Sequence, residues 1–390
     1  MPTSCSEIKL PDSPTPLDHP RFRVFPRKSE KLAIFFSGSN TADHSFEWLE
    51  TARRIDASAI VVSNGPNQWY QAGVDGLGPD RTAVTRSLRS WAKHLDASRL
   101  YTVGAAMGGT GAILHGLPLG ARVLAFSCET RMDLVGGNVQ RLMEKGFTPP
   151  VPDLRPLVEK ARAPIFLYAG ESHPVDLYSA FNLADLPNVF ADSLRRVQHG
   201  VVSYLDRKGR LAPMIDAFLD DRHLPRMPEG GWGLEEQFAE TLYAAHCADS
   251  ERRWGDSARL AKRAMNFYPR SDYANYLHGK GMLHLGKFSH AETALSAAVA
   301  LNSGLTPARL QLARAIERMG RLDEAVAAYM QIADHPIIGG RAHFALGQIH
   351  SRRGDMTSAL ACFRRAVEMD PQRANFRARL QELDDGEAAA

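Results

Sequence analysis

This 390-residue chain predicts an α/β domain, a mostly parallel sheet with helices on both faces, followed by an all-α repeat domain. Three observations carry that expectation. Residues 21–220 alternate short β-branched runs with amphipathic stretches, the pattern of a sheet covered by helices. A segment rich in proline and glycine, LPRMPEGGWG at 224–233, interrupts both helix and strand. Beyond it strand signals vanish, and glycines recur 34 residues apart at Gly286, Gly320 and Gly354.

The clearest strands are Leu32–Phe36, Ala59–Ser63, Leu100–Val103, Arg122–Phe126 and Ile165–Tyr168, with a weaker one at Val189–Asp192. Val84, Leu88, Trp91 and Leu95 recur at helical spacing, as do Leu211, Met214, Ile215, Phe218 and Leu219, which predicts two helices packed on the sheet. The expected division is an N-terminal extension (1–30), an α/β domain (31–222), a linker (223–234), helical repeats (235–384) and a flexible tail (385–390).

Five residues after each periodic glycine stands a small residue, Ala291, Ala325 or Ala359, and nine after it a larger one, Leu295, Tyr329 or Phe363. Ala298, Ile332 and Ala366 follow at twelve. Asn302, Pro336 and Pro371 close the second helices, and Ser257, Ala261, Ala264 and Pro269 form an earlier copy. With Gly286-Lys287-Phe288-Ser289-His290-Ala291 and Gly320-Arg321-Leu322-Asp323-Glu324-Ala325, residues 238–384 resemble tetratricopeptide (TPR) repeats. That resemblance implies a solenoid whose surface takes a protein or peptide partner.

Composition narrows the function classes. A net charge of +3 and the absence of a dense Lys/Arg stripe argue against nucleic acid. Met1–Glu30 lacks the apolar run of a secretory signal, and no segment approaches the roughly 18 apolar residues of a membrane span, so a cytoplasmic protein is expected. Cys5, Cys128, Cys247 and Cys362 are scattered without paired spacing, which predicts neither a metal site nor a disulfide framework, and no cofactor is expected.

The predicted strand Leu100–Val103 runs into Gly104-Ala105-Ala106-Met107-Gly108-Gly109 and then a helix. This turn resembles the G-x-S-x-G elbow of the α/β-hydrolase superfamily, with Ala106 at the nucleophile position. A Walker A loop would need a lysine that is missing here, and a dinucleotide fingerprint would need different glycine spacing at the first strand.

The resemblance implies further site residues in chain order. His199, after the last predicted strand, takes the place of the base, and Asp176 that of the acid, with Glu171 and Glu129 as alternative acids. The backbone N–H of Met107 and one from Gly38 or Ser39 would form an oxyanion hole. Trp69 and Tyr70, in the loop 64–70, either offer aromatic faces to a sugar or pack inward.

Alanine has no oxygen to attack a carbonyl, and losing a serine nucleophile costs on the order of 10⁶ in turnover. Thr110, Ser37, Ser39 and Cys128 are the nearby residues that carry a nucleophilic atom. The first reading is a binding or adaptor protein with an inactive hydrolase-like domain. The second is a serine esterase or acyltransferase, acting on an acyl ester such as an acylated glycan, in which Ala106 replaces the serine. A third has His199 activating water directly.

Overall fold

The computed structural model describes residues 18–224, 226–227 and 230–388. Cys5 lies outside them. The chain divides into two compact units between Tyr243 and Ala244.

Among the described residues the first unit holds ten strands: β1 (Asp18–His19), β2 (Phe22–Phe25), β3 (Lys31–Phe36), β4 (Ser58–Val62), β5 (Ala72–Val74), β6 (Gly78–Asp80), β7 (Arg99–Ala105), β8 (Arg122–Phe126), β9 (Ile165–Gly170) and β10 (Val189–Leu194). Eight form one sheet in the order β1-β2-β4-β3-β7-β8-β9-β10, and β5 and β6 form a separate ribbon. From β4 through β10 every pairing in that sheet is parallel, whereas β1 and β2 join the β4 edge antiparallel. The sheet is therefore mixed. Each strand expected from sequence is present within two residues of its expected ends.

Around the sheet lie α1 (Leu49–Arg54), α2 (Arg81–His94), α3 (Met107–Leu119), α4 (Asn138–Leu142), α5 (Arg155–Val158), α6 (Pro174–Ala184), α7 (Val201–Arg207) and α8 (Leu211–Leu219). Alternation along β3 explains why both faces are covered. Leu32, Ile34 and Phe36 enter one core with Leu88 of α2 and Ile113 of α3, while Ala33 and Phe35 enter the opposite core with Ala52 of α1 and Phe218 of α8. Successive strand side chains point to opposite faces, so an apolar run can serve two cores at once.

The expected boundaries shift. Residues 18–25 of the expected extension contain strands β1 and β2, and residues 1–17 lie outside the described residues. The expected linker is docked on the first unit: Leu224 and Met227 are buried in its core. Met227 N–H donates to Asp192 Oδ2 at 2.7 Å, and Gly231 N–H donates to Ser193 Oγ at 2.9 Å.

The division falls inside α9 (Glu236–Ser250). The second unit continues as α10 (Trp254–Phe267), α11 (Asp272–His284), α12 (Phe288–Leu301), α13 (Thr306–Arg318), α14 (Leu322–Met330), α15 (Gly339–Arg352), α16 (Met356–Met369) and α17 (Ala374–Ala388). Helix α17 takes up residues 385–388 of the expected tail, and 389–390 lie outside the described residues. Gly286, Gly320 and Gly354 each follow a helix with φ between 74° and 81°, the left-handed turn that glycine adopts without a Cβ penalty. Ala291, Ala325 and Ala359 are fully buried, as are Leu295, Tyr329 and Phe363, because small residues let paired helices approach and larger ones fill the layer between pairs.

Candidate functional site

Ala106 sits between β7 and α3 with φ 51° and ψ −123°, a conformation that a residue with a Cβ rarely adopts. Its neighbours force that turn to be tight. A Cβ on Gly104 would lie 2.0 Å from Gly108 O, and a Cβ on Gly108 would lie 2.1 Å from Phe36 O. The Ala106 N–H is tied to Phe126 O at 2.9 Å, so the bend is anchored to β8. Met107 is the first residue of α3, and its N–H has no partner one turn earlier in the helix.

His199 follows β10 and precedes α7, and Asp176 stands in the first turn of α6. The structure brings them together: His199 Nδ1 lies 2.8 Å from Asp176 Oδ2. The Asp176 side chain is fully buried. Burial alone would raise its pKa, but His173 and His199 hold it down at about 2. Burial likewise disfavours the His199 cation, yet Asp176 outweighs that cost and keeps the imidazole pKa above its ordinary value.

The alternative acids serve elsewhere. Glu171 Oε1 accepts from Ser193 Oγ at 2.7 Å and from Gly233 N–H at 3.2 Å, which commits that oxygen to tying 233 against β10. Glu129 accepts the Asn138 and Val139 N–H groups at the start of α4, and burial pushes its pKa up to about 7. Asp176 is the carboxylate on the imidazole.

Two site residues escape the sequence reading. Asn138 Nδ2 lies 3.1 Å from His199 Nε2, and Arg141 donates to Asn138 Oδ1. With Nδ1–H given to Asp176 and the amide orientation fixed by Arg141, Nε2 is the acceptor. The lone pair that would take a hydroxyl proton is thus held by an amide. Glu47 is the second: its Oε2 accepts the Gly38 N–H at 2.8 Å. Burial raises the Glu47 pKa, opposed by that N–H and by nearby His199. Gly38 is therefore not a free oxyanion donor, since its amide already serves this carboxylate; Ser39 beside it is half-buried.

Of the two readings of the aromatic loop, inward packing is the one observed. Trp69 and Tyr70 are 1% and 0% exposed, and Tyr70 Oη donates to Ser37 O at 2.8 Å, so neither ring offers a face to a sugar. The tyrosine stacks edge-on against Phe36 in the core.

Three of the four nearby residues with a nucleophilic atom are committed or inert. Thr110 Oγ1 is buried and donates to Glu129 O at 2.9 Å. Cys128 is buried and its pKa is pushed up to about 12 by burial, far from a reactive thiolate. Ser37 is buried, and its Oγ accepts the Glu47 N–H.

Comparison with known proteins identifies the second unit. Tetratricopeptide-repeat family models match residues 276–336 and 340–373, so the C-terminal region carries TPR repeats. Among solved structures, a thermophilic TPR protein of Thermus thermophilus is 18% identical, covering 47% of this chain and 95% of that one with a TM-score of 0.34. MamA from Desulfovibrio magneticus RS-1 is 13% identical, with 40% and 87% coverage and a TM-score of 0.35. YrrB, a TPR protein with an unusual peptide-binding site, is 15% identical, with 54% and 93% coverage and a TM-score of 0.35. No curated protein matches the chain. Among the described residues no helix is long and apolar enough to cross a membrane.

Proposed function

We propose that this protein is an adaptor: its TPR unit engages a protein or peptide partner, and its α/β unit presents a hydrolase-type cleft without a nucleophile. The observation that carries this reading is Ala106 at the strained turn after β7, in a sheet whose β9 and β10 ends carry the Asp176–His199 pair. Stacked repeats supply the partner surface. Asn138 on His199 and Glu47 on Gly38 fit a cleft that is closed by its own side chains rather than open to an acyl group.

A second reading rests on the 2.8 Å Asp176–His199 pair, which is the geometry of a serine esterase or acyltransferase whose nucleophile would stand at position 106. The discriminating experiment uses the intact chain. A partner should co-purify with it and be lost on Phe363→Ala, which breaks the packing of α15 on α16, while short acyl esters remain unhydrolysed. Ester turnover by the alanine form that disappears with His199→Ala would overturn the adaptor reading.

A further inference from the structure

Arg195 follows Leu194, the last residue of β10, and its Nε and Nη2 are buried without a hydrogen-bond partner. Among the described residues no carboxylate pairs with it, whereas Arg54 and Arg155 of the same unit sit on Asp216 and Asp185 at 2.9 and 2.7 Å. A guanidinium taken partly out of water with no opposing charge is destabilising. The side chain lines a cavity of about 340 Å³ between the end of β10, α7 and the segment 227–230. Arg196, Lys208 and Arg210 add three more cations to the wall, and the described lining contains no carboxylate. Lys208 Nζ lies 6.0 Å over the Tyr204 ring rather than on an acid.

We propose that this cavity binds the phosphate group of a small phosphorylated molecule, which supplies the counter-charge that Arg195 lacks. Guanidinium and ammonium groups only donate, so the wall recognises a group that only accepts. A carboxylate brings one charge and two oxygens. A phosphate monoester brings close to two charges and three strong acceptors, which matches several cations gathered at one place. Because the guanidinium charge is delocalised, an anion in the cavity neutralises Arg195 whichever nitrogen it meets. The volume is that of a small-molecule site, and Leu194, Met227 and the Tyr204 ring give the rest of the molecule an apolar surface.

The test is calorimetric titration of the full chain with phenyl phosphate, and with phenyl sulfate as the monoanionic control. The expected result is one site per chain that takes the phosphate ~10-fold more tightly than the sulfate and weakens as salt rises. Arg195→Met should lower the phosphate affinity by ~10-fold or more. The same variant, without ligand, should melt no lower than the wild type, because an apolar side chain removes an unopposed buried charge. An arginine with a merely structural role would do the reverse, losing stability while phosphate uptake stayed the same. Lys208→Ala, at an exposed position, should weaken binding with melting unchanged. No saturable uptake by the wild type, equal affinity for phenyl sulfate, or unchanged affinity in folded Arg195→Met overturns the inference. So does uptake that appears only after Glu229→Gln, a position outside the described residues, since the chain would then fill the site with its own carboxylate. The inference does not rest on the adaptor reading: phosphate uptake is measured apart from partner capture, and no described lining residue belongs to the acid–base site.

Discussion

His199 Nδ1 and Asp176 Oδ2 stand 2.8 Å apart although β10 separates the two residues in sequence. The pairing exists because β9 and β10 are adjacent and parallel, so the segments leaving their C-terminal ends meet at one edge of the sheet. The Ala106 turn leaves β7 in the same direction. Acid, base and turn are thus assembled by strand order rather than by local sequence.

The turn stores strain that can be measured. Holding alanine at φ 51° and ψ −123° costs on the order of 1–3 kcal/mol, part of which glycine would recover despite its larger unfolded-state entropy. Ala106→Gly is expected to raise urea stability of the first unit by about 1 kcal/mol. A loss of stability instead would mean that the alanine methyl makes packing contacts worth more than the strain.

Gly104→Ala and Gly108→Ala should act in the opposite direction. Each new methyl would meet backbone oxygen at about 2 Å, and neither β7 nor β3 can yield without breaking sheet pairing. A destabilisation of at least ~3 kcal/mol per substitution is expected in denaturant titrations.

His115 gives the first unit an acid-sensitive core. It is fully buried, bonded to Thr85 Oγ1 at 2.8 Å and near Tyr70 O at 3.2 Å, and burial lowers its pKa from 6.5 to about 4. Because the folded value is the lower one, the unfolded chain binds the proton first. The stabilisation is complete above pH 6.5 and is lost as pH falls toward 4, by on the order of 2–3 kcal/mol. Denaturant midpoints at neutral pH and at about pH 4.5 should show that loss in the wild type and a smaller one in His115→Gln.

In the repeats, Arg252 stands 34 residues before Gly286 and has the same left-handed turn, φ 59° against 74°. Arg252→Gly is expected to stabilise the second unit by about 0.5–1 kcal/mol, and Gly286→Ala to destabilise it similarly. Thermal melting followed by the helical circular dichroism signal reads both changes.

Arg252 also shows where sequence legibility stops. Three repeats announce themselves through glycine, but the first hides its turn behind an arginine that pays the Cβ penalty. In the α/β unit, β3, β4, β7, β8 and β9 are legible because apolar runs buried largely on both faces carry a strong signal, whereas β10, with Phe190 exposed, gives a weaker one. The short strands β1 and β2 are not so legible, and pairing makes them strands, β2 with β4 and β1 with β2. The turn at Ala106 and the loop bearing Asp176 are readable from glycine pattern and chain order. Asn138 and Glu47 are not, because an amide and a surface-type carboxylate acquire their roles only when a distant loop closes on His199 and the 37–47 segment folds back on Gly38. Trp69 and Tyr70 are inseparable from binding aromatics until their burial is known.

The most direct measurement is labelling of the intact protein with a fluorophosphonate, which reacts with an activated serine, before and after Ala106→Ser. Both forms are expected to stay unlabelled, because Asn138 holds His199 Nε2 and Glu47 holds the Gly38 N–H, so the cleft is closed as well as lacking its nucleophile. Labelling of the alanine form, or labelling of the serine form at residue 106 that His199→Ala abolishes, would contradict the adaptor reading and favour the serine esterase or acyltransferase.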